Sequence, residues 1–178
     1  GRGRLFYGVR MTYAPLNPRN PKDKGIAVYK TIEPLEKGKT GKFKPGSLVL
    51  ITLKIVTPQE RHFVVVEDPL PAGFVAVNPS FVTESVELER KLREIRKKQN
   101  RFWWWSGFNH IEIHNDRVLL FADFLTPGIH THSYLARAIT YGDFKVPSTN
   151  AEEMYNPEIY GRTGAVSYTH LRAHETSL

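Results

Sequence analysis

Cysteine is absent from the 178-residue chain, which excludes disulfide bonds and thiol chemistry within these residues. No apolar run approaches the roughly 18 residues that a membrane-crossing helix needs. The first residues, GRGRLFYG, also lack the charged, apolar and small-residue zones of a signal peptide. We therefore expect no membrane span and no secretion signal within this sequence.

The residues that are present suit one globular domain. Hydrophobic residues make up 40% of the chain and aromatic residues 12%, which is enough for a hydrophobic core at this length. The net charge is +7, and the excess of lysine and arginine falls in residues 37–44 and 90–101. This charge permits nucleic acid or an anionic surface as a partner without identifying either.

Short segments rich in β-branched and aromatic residues recur along the chain, separated by glycine, proline or asparagine turns. In residues 47–56 every second side chain is a large aliphatic one, which predicts a strand with one buried face. The members of that face are Val49, Ile51, Leu53 and Ile55. The predicted strands are residues 5–13, 26–31, 47–56, 62–66, 102–105, 108–114, 118–124 and 132–144. This rhythm predicts an all-β fold, an antiparallel β-sandwich.

One helix is predicted between these strands. Residues 84–99 (ESVELERKLREIRKKQ) contain no glycine or proline and consist largely of good helix formers. Leu88, Leu92 and Ile95 fall on one face, and acidic residues precede basic ones, as the helix dipole favours. We expect a surface helix that lays a narrow apolar stripe against the sandwich.

The heptapeptide HIEIHND, residues 110–116, contains two histidines and two acids, which suggests a metal site. On a strand, however, alternation places Ile111 and Ile113 toward the core and the polar groups on the outer face. Asn115 and Asp116 then form a tight turn. We expect a structural outer face and no metal.

Two other segments carry acidic residues. In DPLPAGF, Pro71 and Gly73 predict a corner between sheets, with Phe74 re-entering the core and Asp68 capping the corner through backbone amides. The second segment follows Thr149, where the sequence predicts a short helical turn.

In that turn, Thr149 or Asn150 acts as the cap, Glu152 and Glu153 lie in the first turn, and Pro157 ends it. The adjacent glutamates would splay apart around a helix, so we expect no catalytic acid pair.

Four blocks together resemble the C-terminal macroglobulin domain of bacterial alpha-2-macroglobulins, itself similar to the receptor-binding domain of the animal proteins. They are EDPLPAGFVAVN, NDRVLLFADFLTPG, YLARAITYGDFKVP and AEEMYNPEIYGR. The resemblance implies a β-sandwich over residues 25–162 with one inserted helix. Residues 1–14 are similar to the last strand of a preceding CUB-like domain. Residues 166–178 include VSYTHLRAHET, which resembles a translated sequencing adaptor, and we exclude this tail from fold reasoning as a non-native artefact.

The resemblance also implies a function. Full-length relatives are protease traps of the cell envelope, periplasmic or secreted and in some cases anchored as lipoproteins, with an internal thioester that captures the attacking protease. This domain would be a non-catalytic part without cofactors, packed against the thioester domain and neighbouring macroglobulin domains of the same chain, and would meet target proteases only through the full-length protein. Met154 and Tyr155 are the candidate shield that keeps water from the thioester, and the alternative is that they only pack on the sandwich.

An alternative is a binding module that uses the basic helix and the tryptophan cluster FWWW. In the animal proteins the corresponding helix docks a receptor, which makes its basic side chains a candidate partner-binding face. These are Lys91, Arg93, Lys97 and Lys98. Stacking aromatics beside basic residues also suit single-stranded nucleic acid, and a flat tryptophan row suits a glycan. Interspersed glutamates make the helix a poor phosphate track, so we expect no nucleic-acid partner.

Overall fold

In the computed structural model, described residues 3–4, 6–11, 20–35, 43–77, 107–140, 142–164 and 170–171 form strands and turns without any helix. The strands are β1 (Lys22–Lys24), β2 (Ala27–Pro34), β3 (Leu48–Thr57), β4 (Arg61–Pro69), β5 (Phe74–Ala76), β6 (His110–Ile113), β7 (Arg117–Leu125), β8 (Gly128–Ala138), β9 (Gly142–Asp143), β10 (Asn150–Glu153), β11 (Asn156–Arg162) and β12 (His170–Leu171). The part of the chain that is described therefore holds no helix able to cross a bilayer.

The strands form two main antiparallel sheets. The six-stranded sheet has the order β1-β11-β10-β4-β7-β6 and the four-stranded sheet the order β2-β3-β8-β5, while β9 pairs with β12. Apolar side chains from both main sheets form one continuous buried cluster. The predicted all-β, antiparallel sandwich is confirmed, and the fold places β4 and β10 next to each other near the middle of the larger sheet.

The alternation predicted for β3 is confirmed. Its four aliphatic residues Val49, Ile51, Leu53 and Ile55 are fully buried. β3 lies between β2 and β8, so its backbone is hydrogen-bonded on both edges while one face contributes to the core.

The corner predicted at DPLPAGF is confirmed as well. β4 belongs to the larger sheet and β5 to the smaller one, and the Phe74 amide donates to the Pro71 carbonyl at 2.9 Å where the chain turns. A side chain at Gly73 would come within 2.5 Å of the Phe144 ring, which explains why glycine is needed there. Phe74 is buried, as expected.

The helical turn predicted after Thr149 is wrong. Residues 150–162 form the antiparallel hairpin β10–β11, and β10 also pairs with β4 on its other edge. Pairing on both edges satisfies the backbone groups that a helical turn would otherwise bond, so tertiary structure overrides the helix preference of Ala151, Glu152 and Glu153. Pro157 lies within β11 and ends no helix.

Two further expectations concern the ends of the chain. The described residues 6–11, part of the strand predicted at 5–13, are exposed and lie outside any strand, because they find no sheet edge within the described residues. The assignment of residues 1–14 to a preceding domain and of 166–178 to a non-native tail stays a prediction.

Candidate functional site

Several predicted site residues lie outside the described residues. These are the whole predicted helix of residues 84–99 with Lys91, Arg93, Lys97 and Lys98, and the FWWW segment at 102–105. The partner-binding face proposed from them stays a prediction.

The segment HIEIHND forms the edge strand β6 and a turn into β7, as predicted. Glu112 contacts both histidines, with one carboxylate oxygen 3.3 Å from His110 Nε2 and the other 3.2 Å from His114 Nε2. These hydrogen bonds, first to His114 and then to His110, lower the pKa of Glu112 below its usual value. Asp116 turns away and binds Arg117 at 2.9 Å.

Each histidine thus contacts a different oxygen of the Glu112 carboxylate. Within the described ranges, no three His, Asp or Glu side chains are placed to hold a metal ion. The expectation that Ile111 faces the core is wrong, since its side chain is 40% exposed. β6 pairs with β7 on one edge only, and Ile113 alone of the two isoleucines packs against the core.

Asp68 is the centre of a buried polar network that the sequence did not reveal. Its carboxylate is fully buried and accepts hydrogen bonds at 2.6 Å from the Lys30 ammonium, the Tyr134 hydroxyl and the Thr149 hydroxyl. The prediction that Asp68 caps the corner through backbone amides is wrong, because these three donors are side chains that the fold brings from positions far along the chain. Lys30 also donates to the Pro69 carbonyl at 3.2 Å.

This network joins the two sheets electrostatically. Lys30 and Tyr134 belong to the four-stranded sheet, Asp68 belongs to the six-stranded sheet, and Thr149 directly precedes β10. Burial, followed by the charge of Asp68, raises the pKa of Tyr134 well above its usual value. Removing one partner of a buried ion pair typically costs about 3–5 kcal/mol. The network is closed to solvent and satisfied, so its role is to hold the sandwich together.

The two glutamates of the hairpin have different environments. Glu152 is exposed, whereas Glu153 lies 3.8 Å from the guanidinium of buried Arg61 and accepts a hydrogen bond of 3.4 Å from the His62 amide. The pairing of β10 with β11 shifts its register between these two residues. They are not arranged as an acid pair, and Glu153 instead ties the hairpin to β4.

The tip of this hairpin carries Met154 and Tyr155, the two residues predicted from the resemblance. They form the loop between β10 and β11 and are 48% and 79% exposed. The Met154 amide donates to the Phe63 carbonyl at 2.9 Å, and the Tyr155 ring meets the Phe63 ring edge-on, with centroids 5.3 Å apart and an interplanar angle of 86°. The structure therefore presents both residues at one exposed apolar tip.

Neither Phe63 nor Lys30 could be identified from the sequence. Phe63 lies in the apolar run HFVVV, which indicates an ordinary buried strand, and Lys30 looks like a solvent-facing residue in an edge strand. Their roles depend on contacts with residues about 40 to 90 positions away.

Comparisons with known proteins agree with this architecture. The family described as Bacterial Alpha-2-macroglobulin MG10 domain matches residues 25–158. An alpha-2-macroglobulin homolog of Nostoc is 31% identical over 175 residues, which cover 92% of this chain and 9% of the relative. Trypsin-activated alpha-2-macroglobulin from Escherichia coli superposes with a TM-score of 0.76 at 26% identity, covering 87% of this chain and 11% of that one.

A second Escherichia coli structure, native alpha-2-macroglobulin from domain MG7 to the C-terminus, gives a TM-score of 0.72 at 28% identity and covers 90% of this chain and 25% of that chain. The two packed antiparallel sheets and their superposition on these structures define a macroglobulin-type β-sandwich domain. The chain belongs to the bacterial alpha-2-macroglobulin family, and residues 25–158 match its MG10 domain. It spans less than a tenth of the length of the Nostoc relative.

Proposed function

We propose that this domain is a non-catalytic part of a bacterial alpha-2-macroglobulin protease trap, in which it packs against the thioester domain and shields the thioester from water. The full-length protein would then act outside the cytoplasm, in the periplasm or after secretion, either free or anchored as a lipoprotein. Membership of the family supports this role, as does the trypsin-activated state in which the Escherichia coli relative was crystallised.

The observation that carries the proposal is the exposed hairpin tip. Met154 and Tyr155 are apolar or amphipathic, and both project from a loop that two hydrogen-bonded strands hold in place. Exposed large apolar side chains grouped on an ordered element are typical of a protein contact surface. A thioester is an electrophilic acyl group, so excluding water beneath such a cover would preserve it until the trap is triggered.

Replacing both tip residues by alanine tests the shield. Methylamine attacks the thioester carbonyl, an amide bond forms as the carbon–sulfur bond breaks, and a titratable thiol is released. In the full-length, thioester-bearing chain, Met154→Ala with Tyr155→Ala should accelerate thiol release by about tenfold. This factor corresponds to an activation barrier lowered by roughly 1.4 kcal/mol when the apolar cover over the thioester is lost.

A matched control is available on the other sheet. Tyr29 and Ile129 are also exposed large residues, 57% and 60% respectively, and Tyr29→Ala with Ile129→Ala should leave the rate unchanged. Equal rates for the tip variant and the wild type would reject the shield. If the wild-type full-length chain releases no thiol with methylamine, the proposed function is wrong for this protein.

A further inference from the structure

The backbone of β4 contains an irregularity at Phe63. Its φ angle is 49°, and it is the one residue other than glycine with a positive φ among the described residues. A non-glycine residue in this left-handed region typically costs about 1–3 kcal/mol and persists where the surrounding structure holds it. Such strain often accompanies a functional contact, so its surroundings need an explanation.

The inside–outside alternation of β4 reverses at this irregularity. Arg61 and Val64 are both buried, whereas the two residues between them, His62 and Phe63, are both exposed. In a regular strand one of these two neighbouring side chains would point inward. Two consecutive rings therefore reach the surface where β4 meets the hairpin tip, next to Phe124 of β7, which is also exposed and pairs with His62.

Phe63 contacts the tip in two ways. Its carbonyl accepts the Met154 amide at 2.9 Å, and its ring, 48% exposed, packs edge-on against Tyr155 with centroids 5.3 Å apart. The Phe63 ring thus buries little surface in the core and makes its ring contact with a residue that is itself mostly exposed. Core packing does not account for this placement.

The anchoring is completed one residue further back. The Glu153 carboxylate, directly before the tip, accepts a hydrogen bond from the His62 amide and lies near the Arg61 guanidinium. The segment of residues 61–63 therefore holds the end of β10 through Glu153 and the tip through the Phe63 carbonyl and ring. Phe63 is the member of this segment that touches both tip residues.

We propose that Phe63 is a positioning residue for the shield: its left-handed backbone directs a ring and a carbonyl onto the hairpin tip and fixes Tyr155 and Met154 in the orientation that covers the thioester. This inference rests on the function proposed above. On this proposal, the backbone strain at Phe63 serves to preorganise the cover, because a freely moving Tyr155 would leave the thioester carbonyl open to water for part of the time.

The decisive variant is Phe63→Gly in the full-length, thioester-bearing chain. Glycine adopts a positive φ without strain, so the backbone path is retained while the ring is removed. We expect thiol release by methylamine to accelerate about threefold to tenfold, the effect of losing one edge-to-face aromatic contact. The melting temperature should stay close to that of the wild type, since relief of strain offsets the lost packing and the added chain entropy.

Two controls separate the ring from the fold. Phe63→Tyr keeps a ring of the same shape and should react at the wild-type rate. Tyr29→Ala removes an aromatic residue of similar exposure, 57% against 48% for Phe63, from the four-stranded sheet and should also leave the rate unchanged. Faster thiol release in Phe63→Gly that comes with a clearly lower melting temperature would mean general loosening, and would overturn the positioning role.

The outcome also distinguishes this inference from the function beneath it. If Met154→Ala with Tyr155→Ala accelerates thiol release while Phe63→Gly does not, the shield stands and the positioning role is wrong. If neither variant changes the rate, the shield itself is wrong and the role of Phe63 falls with it.

Discussion

His132 occupies a core-facing position in β8, where most sheets place an aliphatic side chain. It is buried, and its ring meets the Phe108 ring edge-on with centroids 6.4 Å apart. Burial lowers the pKa of His132 to about 4, because the charged imidazolium would lose its hydration. The imidazole is therefore neutral in the folded chain well below the pH at which a free histidine becomes protonated.

This burial makes the stability of the domain depend on pH. The unfolded chain binds a proton at His132 near pH 6.5, whereas the folded chain does not bind it until about pH 4. The contribution of His132 to the free energy of unfolding is therefore complete above pH 6.5 and is lost as the pH falls toward 4. The free energy of unfolding should drop by about 3 kcal/mol from this group alone.

Urea unfolding of wild type and His132→Leu between pH 7.5 and 4 measures this contribution. The variant should lose less stability over that interval, by about 3 kcal/mol. Parallel curves for the two proteins would contradict the assignment.

Some secondary-structure elements of the domain could be predicted from the sequence and others could not. The alternation in β3 could be predicted because one face is uniformly aliphatic, and the corner at Gly73 because proline fixes φ at a turn and glycine tolerates conformations and close contacts that other residues do not. The hairpin β10–β11 could not, since Ala151 and the two glutamates favour a helix locally and only pairing with β4 decides otherwise. The reversed alternation at Phe63 and the hydrogen bonds to the Asp68 carboxylate depend in the same way on residues far apart in sequence.

The hairpin also depends on one small residue. A Cβ atom added to Gly161 in β11 would lie 1.7 Å from the carbonyl oxygen of Ile26, and Gly161 is paired with Asp23 on one edge and Ala151 on the other, so its backbone cannot shift away without disturbing that pairing. Gly161→Ala should lower the free energy of unfolding by roughly 3 kcal/mol, as overpacked cores do.

Denaturant unfolding of the 178-residue chain is the measurement. Gly8→Ala, at a glycine with no neighbouring atom within 4 Å, is the matched control and should be within about 0.5 kcal/mol of wild type. Wild-type stability in Gly161→Ala would show that the close approach of β11 to Ile26 is absent in solution.

At the scale of the whole molecule, the proposed shield would require a surface that is covered before the proposed trap acts and uncovered afterwards. Met154 and Tyr155 are 48% and 79% exposed, so in the full-length chain their protection from solvent would come from another domain. The strand pairs behind the tip are continuous with the core and should not change. Treatment with methylamine or trypsin should therefore loosen the tip of the hairpin while the sandwich stays folded.

Hydrogen exchange of the full-length chain tests this expectation. Amides at residues 153–156 should exchange faster after methylamine or trypsin treatment, whereas those of β3, which is paired on both edges, should keep their slow exchange. Identical exchange at residues 153–156 in both states would contradict the proposed cover.

The network around Asp68 has a consequence for how the chain assembles. Its donors are separated from Asp68 by 38, 66 and 81 positions, so the carboxylate is fully compensated only after nearly the whole domain has come together. A partly assembled chain that ends before Thr149 would enclose an anion lacking one of its three donors. Cooperative, all-or-none assembly follows, and a cut within the domain should yield two unfolded pieces instead of one shortened sandwich.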